Sequence, residues 1–288
     1  MGSTGGWPGS PPPWPPSGDW PTGGGGGPAW PPLPEDRSEP VWPGQPPAGP
    51  EPTAGGARVP ARAAWWGLAG AAVGLVLATL LQGIGLAATG QRSVTPSNTA
   101  LLTVLGEVGL WAAMLGTAVF VSRRYGSRSL QRDFGLGIRP ADIGWGALAM
   151  VGGFVASSVV VAAFAHTRFA GSNSQIVTGQ KGHELGLVVV GLVVAVGAPF
   201  FEELFFRGFL RTAFEARLGG HGAVWAQAGF FALAHLGEAG GWGNVSVVSA
   251  LFLLGVVLGY TAKLTGRLGA GMVAHGMFNL VAVVTTVL

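Results

Sequence analysis

From Ala64 to the C-terminus the chain alternates long apolar runs with short polar links. A helix needs roughly 20 apolar residues to cross a bilayer. Seven runs approach or reach that length, near 64–88, 99–122, 143–165, 185–210, 222–238, 246–262 and 268–288. Inside lipid every backbone group must be paired within a helix or a closed barrel, and none of these runs shows the alternation of a barrel strand. The pattern predicts an all-α polytopic transmembrane helical bundle of about seven spans over residues 61–288. Small residues recur inside the runs, as in Gly70-Ala71-Ala72-Val73-Gly74, and predict close helix contacts.

Residues 1–60 carry the opposite pattern, with 18 of the 21 prolines and 14 of the 51 glycines. Proline removes donors and glycine raises the cost of ordering, and five tryptophans (Trp7, Trp14, Trp20, Trp30, Trp42) follow no period. The expectation is a disordered, soluble N-terminal tail. Its run Pro11-Pro12-Pro13-Trp14-Pro15-Pro16 suits polyproline II and can dock a polyproline-recognising partner, although a solvated spacer is the simpler reading. No apolar stretch follows a charged start, so no cleavable signal peptide is expected at the N-terminus.

Composition sharpens the division. The whole-chain figures of 49% hydrophobic, 10% charged and mean hydropathy +0.46 average a polar tail with an apolar body. The absence of cysteine excludes disulfides, thiolate nucleophiles and sulfur-ligated metals. The net charge of +3 forms no basic stripe, so nucleic acid is not an expected partner. Instead the cations mark topology. From Arg58 onward twelve Lys and Arg fall on one side of the expected spans, and three (Arg92, Arg168, Lys181) on the other. By the positive-inside rule the N-terminus is expected in the cytoplasm and the C-terminus outside; 14 Arg against two Lys and the many Gly and Ala hint at a GC-rich genome, so a bacterial inner (plasma) membrane is the expected location.

Ionisable groups inside spans are costly and mark function. They are Glu107, Glu202, Glu203, Arg207, His235 and His275, with Asn279 as a polar companion. Glu107 stands alone and reads as a carboxylic acid bonded to a neighbouring helix. Arg207 lies four residues from Glu203, which suits an ion pair on one helix face. Phe231 with His235 and His275 with Asn279 have the same spacing. The midpoint of positions 202 and 235 is 218.5, on Leu218-Gly219-Gly220, a plausible stop and turn. Folding back there brings Glu202 level with His235, and the expected site opens toward the cytoplasm.

Two carboxylates, two imidazoles and an amide suit the activation of water on a carbonyl. A glutamate with His235 would deprotonate the water, and His275 with Asn279 would donate to the oxyanion. The same residues can hold a divalent metal, and they can also merely staple helices together.

Glu202-Glu203-Leu-Phe-Phe-Arg207, Phe231-Ala-Leu-Ala-His235 and His275-Gly-Met-Phe-Asn279 resemble the EExxxR, FxxxH and HxxxN motifs of the CPBP intramembrane proteases, which include the type II CAAX prenyl proteases and bacterial Abi proteins. The resemblance covers about 185–288, with the motifs in family order. It implies an intramembrane endopeptidase that hydrolyses a peptide bond of a membrane-anchored peptide or protein in the lipid bilayer. Glu202 would be the principal glutamate, Glu203 and Arg207 its supporting pair, His235 its partner on water, and His275 with Asn279 the oxyanion side. The family is described both as metalloproteases and as glutamate-dependent proteases, so Zn2+ on Glu202, His235 and His275 and a metal-free mechanism are both implied. Other intramembrane protease chemistries fit badly, since His183-Glu184 has Leu187 where HExxH needs its second His, no Asp lies in an expected span, and no GxSxG occurs. The alternative is a non-proteolytic protein, either a cation- or proton-coupled transporter or a scaffold such as a bacteriocin self-immunity protein.

Overall fold

The computed structural model describes residues 59–180 and 182–288. The expected tail and its polyproline run lie outside them, apart from Val59 and Pro60. The elements are α1 (Ala64–Thr89), α2 (Pro96–Tyr125), α3 (Leu130–Phe134), α4 (Ala141–Phe164), α5 (Gln175–Thr178), α6 (Glu184–Leu192), α7 (Ala198–Glu202), α8 (Arg211–Ala234), α9 (Asn244–Thr265) and α10 (Gly269–Val287). Two π-helical segments, Val193–Gly197 and Glu203–Leu210, join α6, α7 and α8 into one continuous stretch. No strand occurs among the described residues. The protein is a multi-pass, all-α membrane bundle.

Among the described residues six helical stretches are long and apolar enough to cross a membrane, against the seven expected. The difference lies in Glu184–Ala234, a stretch of 51 residues. A straight helix of that length would measure about 75 Å, over twice a bilayer core. It turns at Gly219, whose φ of 67° and ψ of 171° interrupt the helix. The two limbs correspond to the expected spans 185–210 and 222–238. They pack antiparallel, with the Phe206 and Phe231 rings 5.3 Å apart and Phe214 stacked on Phe230 at 5.3 Å. The Phe206–Phe231 pair has the same 218.5 midpoint inferred for Glu202 and His235. The second limb is shorter than expected, because the helix ends at Ala234 and His235 is its C-cap.

Small residues bring the helices together. At Gly109 a Cβ would stand 2.6 Å from the Ala78 backbone nitrogen, so α1 and α2 touch backbone to backbone there. Across α8 and α9 the buried Gln227 donates Nε2 to the Gly255 carbonyl at 2.9 Å. Outward-facing residues such as Val73, Leu80, Val155 and Val159 are exposed, as a lipid-facing belt requires.

The register of α10 is set at the arginine-rich end. Leu268 and Gly269 donate their backbone N–H groups to Gly135 and Gly137 at 2.9 and 3.0 Å. Arg267 pairs with the buried Asp142 at 2.6 Å, and Asp142 also accepts the Arg139 N–H at 2.7 Å. The height of His275 above this end follows from that anchorage. Because the α1–α2 contact at Gly109 has no room for a side chain, Gly109→Val should destabilise the detergent-solubilised protein by about 1–3 kcal/mol. A lowered midpoint of thermal unfolding measures it.

Candidate active site

All eight residues of Glu203–Leu210 are buried, so this segment is the axis of the bundle rather than one of its amphipathic walls. Its wide turns, in which the Arg211 N–H reaches back five residues to the Phe206 carbonyl, are a form common at functional sites. Leu204, Phe205, Phe206, Phe209 and Leu210 fill the core around it. Within that core Arg207 Nη1 meets Glu203 Oε1 at 2.9 Å, with neither side chain exposed. The Phe231 ring covers the guanidinium, with its centroid 4.0 Å from Arg207 Cζ. An aromatic face stabilises a cation most when both are desolvated.

α10 passes this pair at Gly271, where a Cβ would lie 2.6 Å from Glu203 Oε2. One turn further, His275 Nδ1 lies 3.0 Å from Glu203 Oε1. That oxygen already faces a guanidinium and accepts, so Nδ1–H is the donor. The ring's other nitrogen, Nε2, then points toward Glu202 Oε2 at 3.8 Å, a gap that one water can bridge. Glu202 Oε2 is itself buried with no hydrogen-bond partner among the described residues.

His235 is oriented by the end of its helix. Its backbone N–H bonds Ala232 rather than Phe231, which frees the Phe231 carbonyl. The ring fills that vacancy, with Nδ1 2.7 Å from the carbonyl oxygen. The proton is therefore on Nδ1, and Nε2 is left as an acceptor. Phe231 connects the two histidines, its centroid 4.7 Å from His235 and 5.8 Å from His275.

Asn279 is tied to a different feature. In the π-helical segment the Ala198 N–H bonds Val193, five residues back. The next donor in that ladder would be residue 199, a proline without an N–H. The Val194 carbonyl so left without a backbone donor receives Asn279 Nδ2 at 2.8 Å. One of the two amide protons is committed to holding the entry of α7, immediately ahead of the glutamates.

The structure thus gathers Glu202, Glu203, Arg207 and His275 into one contiguous set, joins His235 to it through Phe231, and places Asn279 one turn away on the Val194 carbonyl. Among the described residues Glu107 Oε2 is buried without a hydrogen-bond partner, so the bond to a neighbouring helix expected for this carboxyl is not made by that oxygen. The cavity that reaches Asn279, about 330 Å³, is lined by Ser157, Asn173, Val194, Val247, Phe278 and Thr286 among others. It lies among the α4–α5 loop and the ends of α4, α9 and α10 away from the arginine-rich links, and its lining includes neither the glutamates nor the two histidines of the site.

Zn2+ on Glu202, His235 and His275 is one of the two mechanisms implied by the resemblance, beside a metal-free one. Among the described residues no group of three or more His, Asp or Glu side chains is arranged to hold an ion. Three positioning residues were not singled out from sequence as site residues: Phe231, Gly271 and Pro199. The FxxxH motif itself contains Phe231, and a proline inside an apolar run signals an orphaned carbonyl.

Buried charges held at helical spacing within membrane helices define the class, a polytopic membrane protein with an enclosed glutamate–histidine centre. Residues 184–281 match the family model described as Type II CAAX prenyl endopeptidase Rce1-like. The matched stretch contains all three motifs and bears out the resemblance. No curated protein and no solved structure matches the chain.

Asn279→Leu leaves the Val194 carbonyl unpaired and should cost about 1–3 kcal/mol in thermal unfolding. Pro199→Ala supplies a backbone N–H for the same carbonyl, so the loss should shrink in that background.

Proposed function

We propose that this protein is an intramembrane endopeptidase that hydrolyses a peptide bond of a membrane-anchored substrate with water activated by Glu202 and His235. The observation that carries the reading is the placement of His275 between two glutamates, 3.0 Å from Glu203 and 3.8 Å from Glu202. It is supported by the free Nε2 of His235 and by the family match over the same helices.

In the proposed reaction water sits against Glu202 and His235 Nε2. Glu202 takes a proton as the water oxygen bonds to the substrate carbonyl carbon. The oxyanion is met by His275, whose Nε2 donates when the ring carries both protons, and by the second amide proton of Asn279. The tetrahedral species collapses with cleavage of the C–N bond, and the proton passes from Glu202 to the leaving amine. Glu203 and Arg207 do not touch substrate in this scheme; they hold His275. The scheme runs through side chains and water.

The arginine asymmetry supports a cytoplasmic N-terminus and an external C-terminus, and the substrate reaches the site from within the bilayer. Purified protein in lipid vesicles should cleave a library of membrane-anchored peptides, prenylated members included. Glu202→Gln should lower the rate by about 100-fold or more, and chelators should leave the wild-type rate intact. Unchanged cleavage by Glu202→Gln would contradict the assignment. Ion or proton transport without cleavage would favour the non-proteolytic alternative.

A further inference from the structure

Outside the matched segment, one face of α2 carries two unused polar groups. Glu107 and Trp111 are four residues apart on that helix and so share a face. Glu107 Oε2 and Trp111 Nε1 are each buried with no hydrogen-bond partner among the described residues. Orphaned buried polar atoms are rare, and a donor and an acceptor orphaned together on one face call for a ligand that supplies both complements. Both lie beside the proposed site. The Trp111 indole stacks on Phe201, the residue before Glu202, with centroids 4.7 Å apart and planes 13° apart. Its ring edge occupies the notch at Gly197, where a Cβ would come within 2.2 Å of it. Glu107 lies within charge–charge range of Glu202, His235 and Glu238.

We propose that this face of α2 docks the backbone of the extended substrate, Trp111 Nε1–H donating to a substrate carbonyl and the Glu107 carboxyl accepting a substrate N–H. The pair of groups suits this ligand, because an extended strand presents both a carbonyl and an N–H on one edge, the complements of a donor and an acceptor on one helix face. A site made of backbone contacts fixes the scissile bond without reading side chains, so sequence preference would arise elsewhere in the cleft. The inference rests on the protease reading and adds to it the element that binds the peptide.

The test is an N-methyl scan of a membrane-anchored peptide that the wild-type protein cleaves, in lipid vesicles, with KM and kcat measured separately. Methylation at one substrate nitrogen should raise KM about tenfold in wild type, the worth of one hydrogen bond. The same methylation should have no effect in Glu107→Leu, whose KM is already raised. Trp111→Phe keeps the stack on Phe201 and removes only the donor. It should raise KM for the amide substrate about as much, and leave KM unchanged for the ester analogue that weakens the matching carbonyl. Wild-type and Glu107→Leu proteins with identical N-methyl profiles would overturn the inference while leaving the protease reading standing. A wild-type protein that cleaves no peptide would overturn both.

Discussion

Arg207 is held without solvent contact between the Glu203 carboxylate and the face of Phe231, and much of the bundle follows from that arrangement. A guanidinium removed from water costs several kcal/mol unless a counter-charge meets it. The axial segment must therefore deliver Glu203 to it, the second limb must fold back to supply the Phe231 ring, and α10 must come close enough for His275 to reach the same carboxylate. Gly219 permits the fold-back and Gly271 permits the approach. In the proposed scheme the pair does not touch substrate; its work is to decide where the His275 imidazole stands.

The site is then layered. Glu203 and Arg207 fix His275, the end of α8 fixes His235, and Asn279 with Pro199 fixes the backbone entering α7. Glu202 keeps a buried oxygen that no protein group among the described residues satisfies, at the place where water would be activated. Such division between positioning groups and one under-satisfied carboxylate keeps a base available in a low-dielectric interior. On the second wall, α2 contributes Glu107 and Trp111, so the cleft is built from both sides of the axial segment.

Much of this was legible in the sequence. Span limits read from apolar runs lie within a few residues of the helices, because lipid forces the chain to pair its backbone internally and so ties hydropathy to helix length. The Glu203–Arg207 pair and the turn at Leu218-Gly219-Gly220 follow from spacing along a single helix. What spacing does not convey is which carbonyl is orphaned on a neighbouring segment. The bond from Asn279 to Val194 depends on a π-helical turn and on Pro199, and both are consequences of packing around the axis. Glu107 is a related case: one carboxyl in an apolar run says that a partner is needed, without saying whether the fold supplies it to both oxygens. Gln227 and Asp142, buried and hydrogen-bonded between elements, were likewise unmarked by any motif.

The central claim, that a desolvated ion pair organises the site, is tested most directly by a double-mutant cycle on Glu203 and Arg207, read as stability in detergent. Arg207→Met alone should be destabilising by about 3–5 kcal/mol, since it leaves a carboxylate buried without its cation. Glu203→Leu with Arg207→Met should recover most of that loss, because no uncompensated charge remains. Additive losses in the double variant, or an Arg207→Met protein as stable as the wild type, would contradict the account.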